Sequence, residues 1–331
     1  MPPRLRIAIQ AVLLFVSPIL AASGQRIHLL PQFKPGDSLR YQIESRMTTA
    51  GTTTTPIVNP EGASQFKQSV SIILRLDVLE VHPGANGSLG SVRLRATYEK
   101  SSAVSESDAY DPGAAALADQ YNRLEGRSME FTVEPDGKLV DVKGLEDMLS
   151  NPSAAQTVRS WMAGLDSGAG FPPAGIAIGQ KWGREEPLTG TPLNGLLWRT
   201  EATYLRNEIC PANATSSPQD AAGKAPGANS EMCAIILTQF TIVRHGSRSE
   251  QTPEDYLRNG LRTSGTWTGS GESLDSISLA TGHVVASAKS SSQDLDFAVT
   301  STNTGSRMTY KGKIETQTQM NLLPASAPQQ H

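Results

Sequence analysis

The chain is short of the residues on which most catalytic and metal-dependent chemistry is built. Two cysteines and five histidines in 331 residues exclude iron–sulfur clusters and multi-zinc architectures by count. Charged residues make up 18% of the sequence and aromatics 5%, against roughly 25% charged in an average soluble domain. With 29 Lys and Arg facing 32 Asp and Glu, there is no basic excess to hold the phosphates of a nucleic acid, and that partner is excluded. After residue 24 no apolar run approaches the roughly 20 residues of a spanning helix. The Gly-x-Ser-x-Gly, His-Glu-x-x-His and EF-hand patterns are absent. We therefore expect no catalytic residue, no metal ligand, no cofactor and no enzymatic activity.

What is present is turn chemistry and alternation. Twenty-nine glycines and 21 prolines suit many strands joined by turns. Residues 1–24 carry Arg4 and Arg6, then an apolar run of about 14 residues, then Ala21-Ala22-Ser23-Gly24. This order reads as a secretory signal, the run being too short for an anchor. The mature chain is then expected to be exported to the periplasm or outside, and not transmembrane. Export gives the cysteines a meaning. Cys210 ends one strand-like run, Cys233 opens the next, and the insert between them has loop composition. A disulfide closing that loop at its base is expected.

The apolar period is 2 through most of the chain. Alternation predicts strands at 38–49, 66–81 and 91–100, with a phase slip at Leu79 that reads as a bulge. Pro135-Asp136-Gly137 joins two short strands, 128–134 and 138–142. Further strands are expected at 196–209, 233–243, 262–279, 284–290, 295–301 and 307–322. Helical periodicity is confined to 114–124, 145–165 and a short helix at 253–259 with Thr252 as its cap. The expected fold class is α+β, predominantly antiparallel β, with a long curved or barrel-like sheet and a few short helices. We expect one β-rich domain over 25–323, with 25–170 and 171–323 as two similar halves if a shared order of opener, long strands and glycine hairpin reflects duplication. Residues 324–331 read as a disordered tail.

Each chemical motif has a plainer reading beside it. Ser64-Gln-Phe-Lys67 has the spacing of penicillin-recognising acylases but opens a strand, where its Lys would not lie one helical turn from the Ser. Gly265-Thr-Trp-Thr-Gly269-Ser-Gly271 has no following helix to meet a phosphate, so its glycines point to sharp coiling or close approach of a neighbour. The five histidines fall at loops, strand ends or the tail, which predicts solvated side chains. Glu185-Glu186 and Glu254-Asp255 read as surface charge. More suggestive are Trp161, Trp182, Trp198, Tyr204, Phe240 and Trp267, able to line an apolar cavity or fill an ordinary core. On the helix 145–165, Trp161 and Met162 lie on the apolar stripe, before a Gly- and Pro-rich connection. The expected apolar site joins Trp161 and Met162 to Trp198 or Trp267.

The stretches Ile178-Gly-Gln-Lys-Trp, Tyr204-Leu-Arg-Asn-Glu, Thr252-Pro-Glu-Asp-Tyr and Gly265-Thr-Trp-Thr-Gly-Ser-Gly-Glu-Ser-Leu resemble those of exported bacterial β-rich proteins of unknown function. In architecture the chain is similar to periplasmic lipid-carrier proteins of the lipoprotein-chaperone type, an analogy of fold alone. These families assign no catalytic residue to any position here. The function expected is a non-catalytic binding or carrier module for an apolar small molecule or lipid. The alternatives are a structural or interaction role with an envelope protein and, less favoured, a hydrolase.

Overall fold

The computed structural model describes residues 26–54, 64–84, 89–108, 118–135, 139–144, 148, 170–188, 190–211, 231–246 and 251–324. Eleven antiparallel strands form one sheet: β1 (Ser38–Thr54), β2 (Ser64–Pro83), β3 (Leu89–Ser107), β4 (Ser128–Val133), β5 (Leu139–Lys143), β6 (Lys181–Pro187), β7 (Leu196–Ile209), β8 (Met232–Arg244), β9 (Leu261–Ser278), β10 (Val284–Ser301) and β11 (Arg307–Leu322). Their order is β5-β4-β3-β2-β1-β11-β10-β9-β8-β7-β6. Two meanders, β1–β5 and β6–β11, are thus welded along the β1–β11 ladder, which runs from Tyr41 opposite Leu322 to Thr54 opposite Thr309.

The sheet curls but does not close. Its main core joins Met129 and Phe131 from one end to Tyr204, Ala234 and Ile236 from the other, with Tyr41, Ile43, Leu74, Leu76 and Ile277 between them. Strands at opposite ends of the sheet therefore share one apolar interior, while β5 and β6 remain its edges. The barrel-like expectation is corrected to an open, curled sheet. The segment before β1 covers the end of this core: Ile27 bridges to Ile176, and Leu29 is buried. Each fully buried Leu or Ile contributes roughly 1.5–3 kcal/mol, so the core carries most of the stability of the curl.

The α+β label fits loosely. Among the described residues the helices are α1 (Glu254–Arg258), a single turn at 118–122 and the isolated position Met148. The rest of the expected helix 145–165, including Trp161 and Met162, lies outside the described residues, as do residues 1–24 and 325–331. Thr252 does not cap α1. Its hydroxyl accepts the backbone N–H of Thr263 at 2.9 Å and lies 3.2 Å from the Thr263 carbonyl oxygen, tying the helix to β9 instead. The bulge expected at Leu79 is present as a register shift between Val78 and Glu80.

Two strand expectations and one about a histidine change. The runs 284–290 and 295–301 are one continuous strand, β10, because Ser290 to Asp294 keep their ladder partners on both sides. The edge strand β6 escaped the alternation because four of its seven residues are charged. Those charges are ion-paired on the surface, as in Lys181–Glu201, Arg184–Glu186 and Arg199–Glu185, and they blunt an edge that would otherwise template pairing with another chain. The expectation of solvated histidines fails at His283. It is 8% exposed, and its ring packs on Phe33 at 5.2 Å.

Candidate functional site

Residues directly opposed in an antiparallel ladder share a face, so the registers define one inward face across the sheet. One transverse row on it runs Phe240, Gly271, Ser291, Thr316, Met47, Gln68 and Ser105. In β11 the inward residues Gly312, Ile314, Thr316 and Thr318 are half-buried and the intervening ones exposed. Among the residues that the registers place inward in β1–β3 and β7–β11, the charged ones are Asp275, Lys289 and, at the end of β8, Arg244.

That face is banded. At one end lies the main core. At the other, Leu193, Leu196 and Ile242 are buried, with Trp198, Trp267 and Phe297 packed half-exposed against them. The structure thus brings together Trp198 and Trp267, which sequence reasoning joined to Trp161 and Met162. Trp198 meets the Phe240 ring edge-on at 5.3 Å, and Trp267 stacks parallel to Phe297 at 6.5 Å. Phe297 in turn contacts Tyr310 at 5.5 Å, and the Trp267 indole N–H donates to Gln293 at 2.9 Å. Of the other aromatics in the expected set, Tyr204 is buried in the main core and Trp182 packs on Phe171 at 5.6 Å.

The glycines of β9 make this arrangement possible. A Cβ at Gly271 would stand 2.4 Å from Cζ of Phe240, and one at Gly269 would stand 3.1 Å from Cδ1 of Ile242. Side chains of β8 therefore lie flat across β9 where it has none of its own. The Phe240 ring reaches under the ammonium of Lys289, whose Nζ is 4.9 Å from the ring centroid. The glycine-spaced run thus serves close approach by side chains of the same sheet.

Between the two apolar bands lies a polar one. Asp275 accepts hydrogen bonds from Ser287 at 2.6 Å and Ser273 at 3.0 Å, and the hydroxyls of Ser45 and Thr318 lie 3.1 Å apart. Burial pushes the Asp275 carboxyl up, against the pull of the two serines and Lys289. Burial also pushes the Lys289 ammonium down, against the opposing attraction of Asp275. Sequence reasoning missed Asp275, Lys289 and Phe297. The signal was available, since a lysine stands in phase with Leu295 and Phe297, but only once β10 is read as unbroken.

Concavities among the described residues include a groove of about 580 Å³ over β6 and β7 beside Trp182. A trough of about 630 Å³ crosses the middle of β8–β11, walled by Gln239, Glu272, Gln317, Thr241, Ser270 and Glu315 among others. A hollow of about 50 Å³ lies between Ile27–Leu30 and Phe171–Ile176, room for one or two waters. Among the described residues there is no group of three His, Cys, Asp or Glu side chains fit to hold a metal. No described helix is long and apolar enough to cross a membrane. Cys210 and Cys233 are disulfide-bonded, with Cα atoms 4.9 Å apart, a bond that oxidising compartments preserve.

No family model and no curated protein matches the chain. Among solved structures, it has 6% identity and a TM-score of 0.18 to the outer membrane protein OprG from Pseudomonas aeruginosa, over 89% of this chain and 100% of that one. DynF from the dynemicin biosynthesis pathway of Micromonospora chersina gives 8% and 0.18, over 94% and 90%. An outer membrane channel from Pseudomonas putida F1 gives 7% and 0.15, over 88% and 97%. At these scores the likenesses carry no weight for function.

Proposed function

We propose that the chain is an exported, non-catalytic binding module that takes an apolar ligand on the inward face of its curled sheet, against Trp198, Phe240, Trp267 and Phe297. The observation that carries this reading is the state of those aromatics. Trp198, Trp267 and Phe297 lie on the inward face and pack on a buried seed, yet each remains half-exposed. Half-exposed indole and phenyl rings in one band of the inward face offer a large contact area at low rotamer cost. The 50 Å³ hollow is far too small for an acyl chain, so the ligand is read as lying along the open face, outside the packed core. The disulfide supports the exported setting.

An envelope-protein interface built by adding a strand at β6 is the weaker reading, because the ion pairs of that edge weigh against strand addition. The test is to purify the protein from its native envelope, extract it with organic solvent and analyse the extract by mass spectrometry. The expected result is an apolar compound in near-stoichiometric amount from the wild type and its loss from the Trp198→Ala/Trp267→Ala double variant. A wild-type protein that yields no apolar compound and leaves added acyl probes unbound would refute the reading.

A further inference from the structure

We infer that the ligand is an anionic amphiphile, a single-chain carboxylate, whose head group is held at Lys289 while its tail follows Phe240 and the tryptophans beyond it. This rests on the apolar-ligand reading above and adds the chemistry of the head group. Charge is scarce on the inward face. Eight strands contribute to it, and apart from the Arg244 guanidinium at the end of β8 their inward residues supply one cation, the Lys289 ammonium, placed at the border between the hydroxyl band and the aromatic band.

The position of that ammonium is built. Gly271 clears the path for the Phe240 ring, and the ring lies 4.9 Å beneath Nζ. Phe240 is itself buried and meets half-buried Trp198 edge-on at 5.3 Å, so the apolar track passes over the rim of a covered ring to Trp198. An amphiphile needs the same sequence of surfaces: a cation, then an unbroken apolar track leading away from it. The facing carboxylate, Asp275, is already held by two serine hydroxyls, and Lys289 has no ion pair among the described residues. Beyond the Phe240 ring and the attraction of Asp275, the ammonium can still take a partner from outside. A ligand carboxylate there would give an ammonium that solvent now reaches a charge-assisted partner. The hydroxyls of Ser291 and Thr318, which flank Lys289 inward on β10 and β11, could donate to the second oxygen.

The experiment compares dodecanoate with dodecanol, the same chain without the charge, both as monomers and both titrated against the full-length protein by tryptophan fluorescence. The wild type is expected to bind dodecanoate at least tenfold more tightly than dodecanol. Lys289→Met is expected to reduce dodecanoate to the level of dodecanol and leave dodecanol itself unchanged, and Lys289→Arg to keep most of the preference. Asp275→Asn removes a negative charge near the head group and is expected to tighten dodecanoate alone. If the wild type binds the two probes equally, or Lys289→Met keeps the preference, the head-group assignment is overturned while the apolar-ligand reading stands. If neither probe binds, both fall.

Discussion

Replacing Gly271 by Ala is the sharpest test of how the inward face is built. The new Cβ would lie 2.3 Å from the Ser290 carbonyl oxygen and 2.4 Å from Cζ of Phe240. Both distances fall about 0.6–0.7 Å below the 3.0 Å that a Cβ tolerates. The ring can rotate away, but the carbonyl belongs to the β9–β10 ladder and moves only with its strand. Overpacking of this kind costs about 1–3 kcal/mol, and the small gain in strand propensity from Gly to Ala does not offset it. Equilibrium urea unfolding with the disulfide intact would read the loss as a lower midpoint at unchanged slope. Gly36→Ala is the control, because Gly36 has φ +88° and nothing within 4 Å of its Cβ direction, so it reports backbone strain alone, about 1–2 kcal/mol. Adding Phe240→Ala to Gly271→Ala should recover part of the clash and leave the ladder's share, a coupling of roughly 0.5–3 kcal/mol in the double-mutant cycle. A Gly271→Ala protein as stable as the wild type, or a cycle with no coupling, would refute the claim that β9 is glycine-spaced to admit Phe240.

Three further outcomes follow from the same structure. Converting Cys210 and Cys233 to Ser should lower stability by about 3 kcal/mol on the chain-entropy estimate for the 23-residue separation, read from the shift in urea midpoint; an unchanged midpoint would deny the bond its role at the base of the loop. His283 is held below its ordinary pKa of 6.5 by burial, against the opposing pull of Asp37, the Gln32 backbone and Glu231. Its neutral form is therefore favoured by folding, and the associated stability is full above pH 6.5 and lost as pH falls toward the lower folded value. His283→Gln should flatten the stability profile between pH 7.5 and 5, and a variant as acid-sensitive as the wild type would contradict the assignment. Trp267→Phe removes the indole N–H donated to Gln293 but keeps the stack on Phe297; it should cost about 1 kcal/mol or less, and a loss above about 3 kcal/mol would show that Trp267 is a core anchor.

Much of the sheet was legible because one face is buried and the other wet, so period-2 alternation survives in β1, β2, β3 and β11. The bulge near Leu79 showed as a slip in that phase, and the disulfide as two cysteines at the ends of neighbouring strands. The alternation fails where neither face is strongly apolar. At Ser290–Asp294 the sequence looks like a loop, yet ladder hydrogen bonds on both sides keep it extended. At β6 the charges answer to an edge with a partner on one side only. The burial of His283 was hidden because the residue that covers it, Phe33, is distant in sequence. The candidate site was half legible: aromatic content pointed to Trp198 and Trp267, whereas Lys289 and Asp275 emerge only when four strands are laid side by side in register.

The proposed site lays an acyl chain along Trp198 and Trp267 on the inward face. It is tested most directly by quenching with a fatty acid brominated at mid-chain, in a Trp161→Phe background that leaves Trp182, Trp198 and Trp267 as the emitters. Strong, saturable quenching is expected, surviving Trp182→Phe and disappearing in Trp198→Phe/Trp267→Phe, where Trp182 alone still emits. Quenching that resides in Trp182, or no saturable quenching at all, would contradict it.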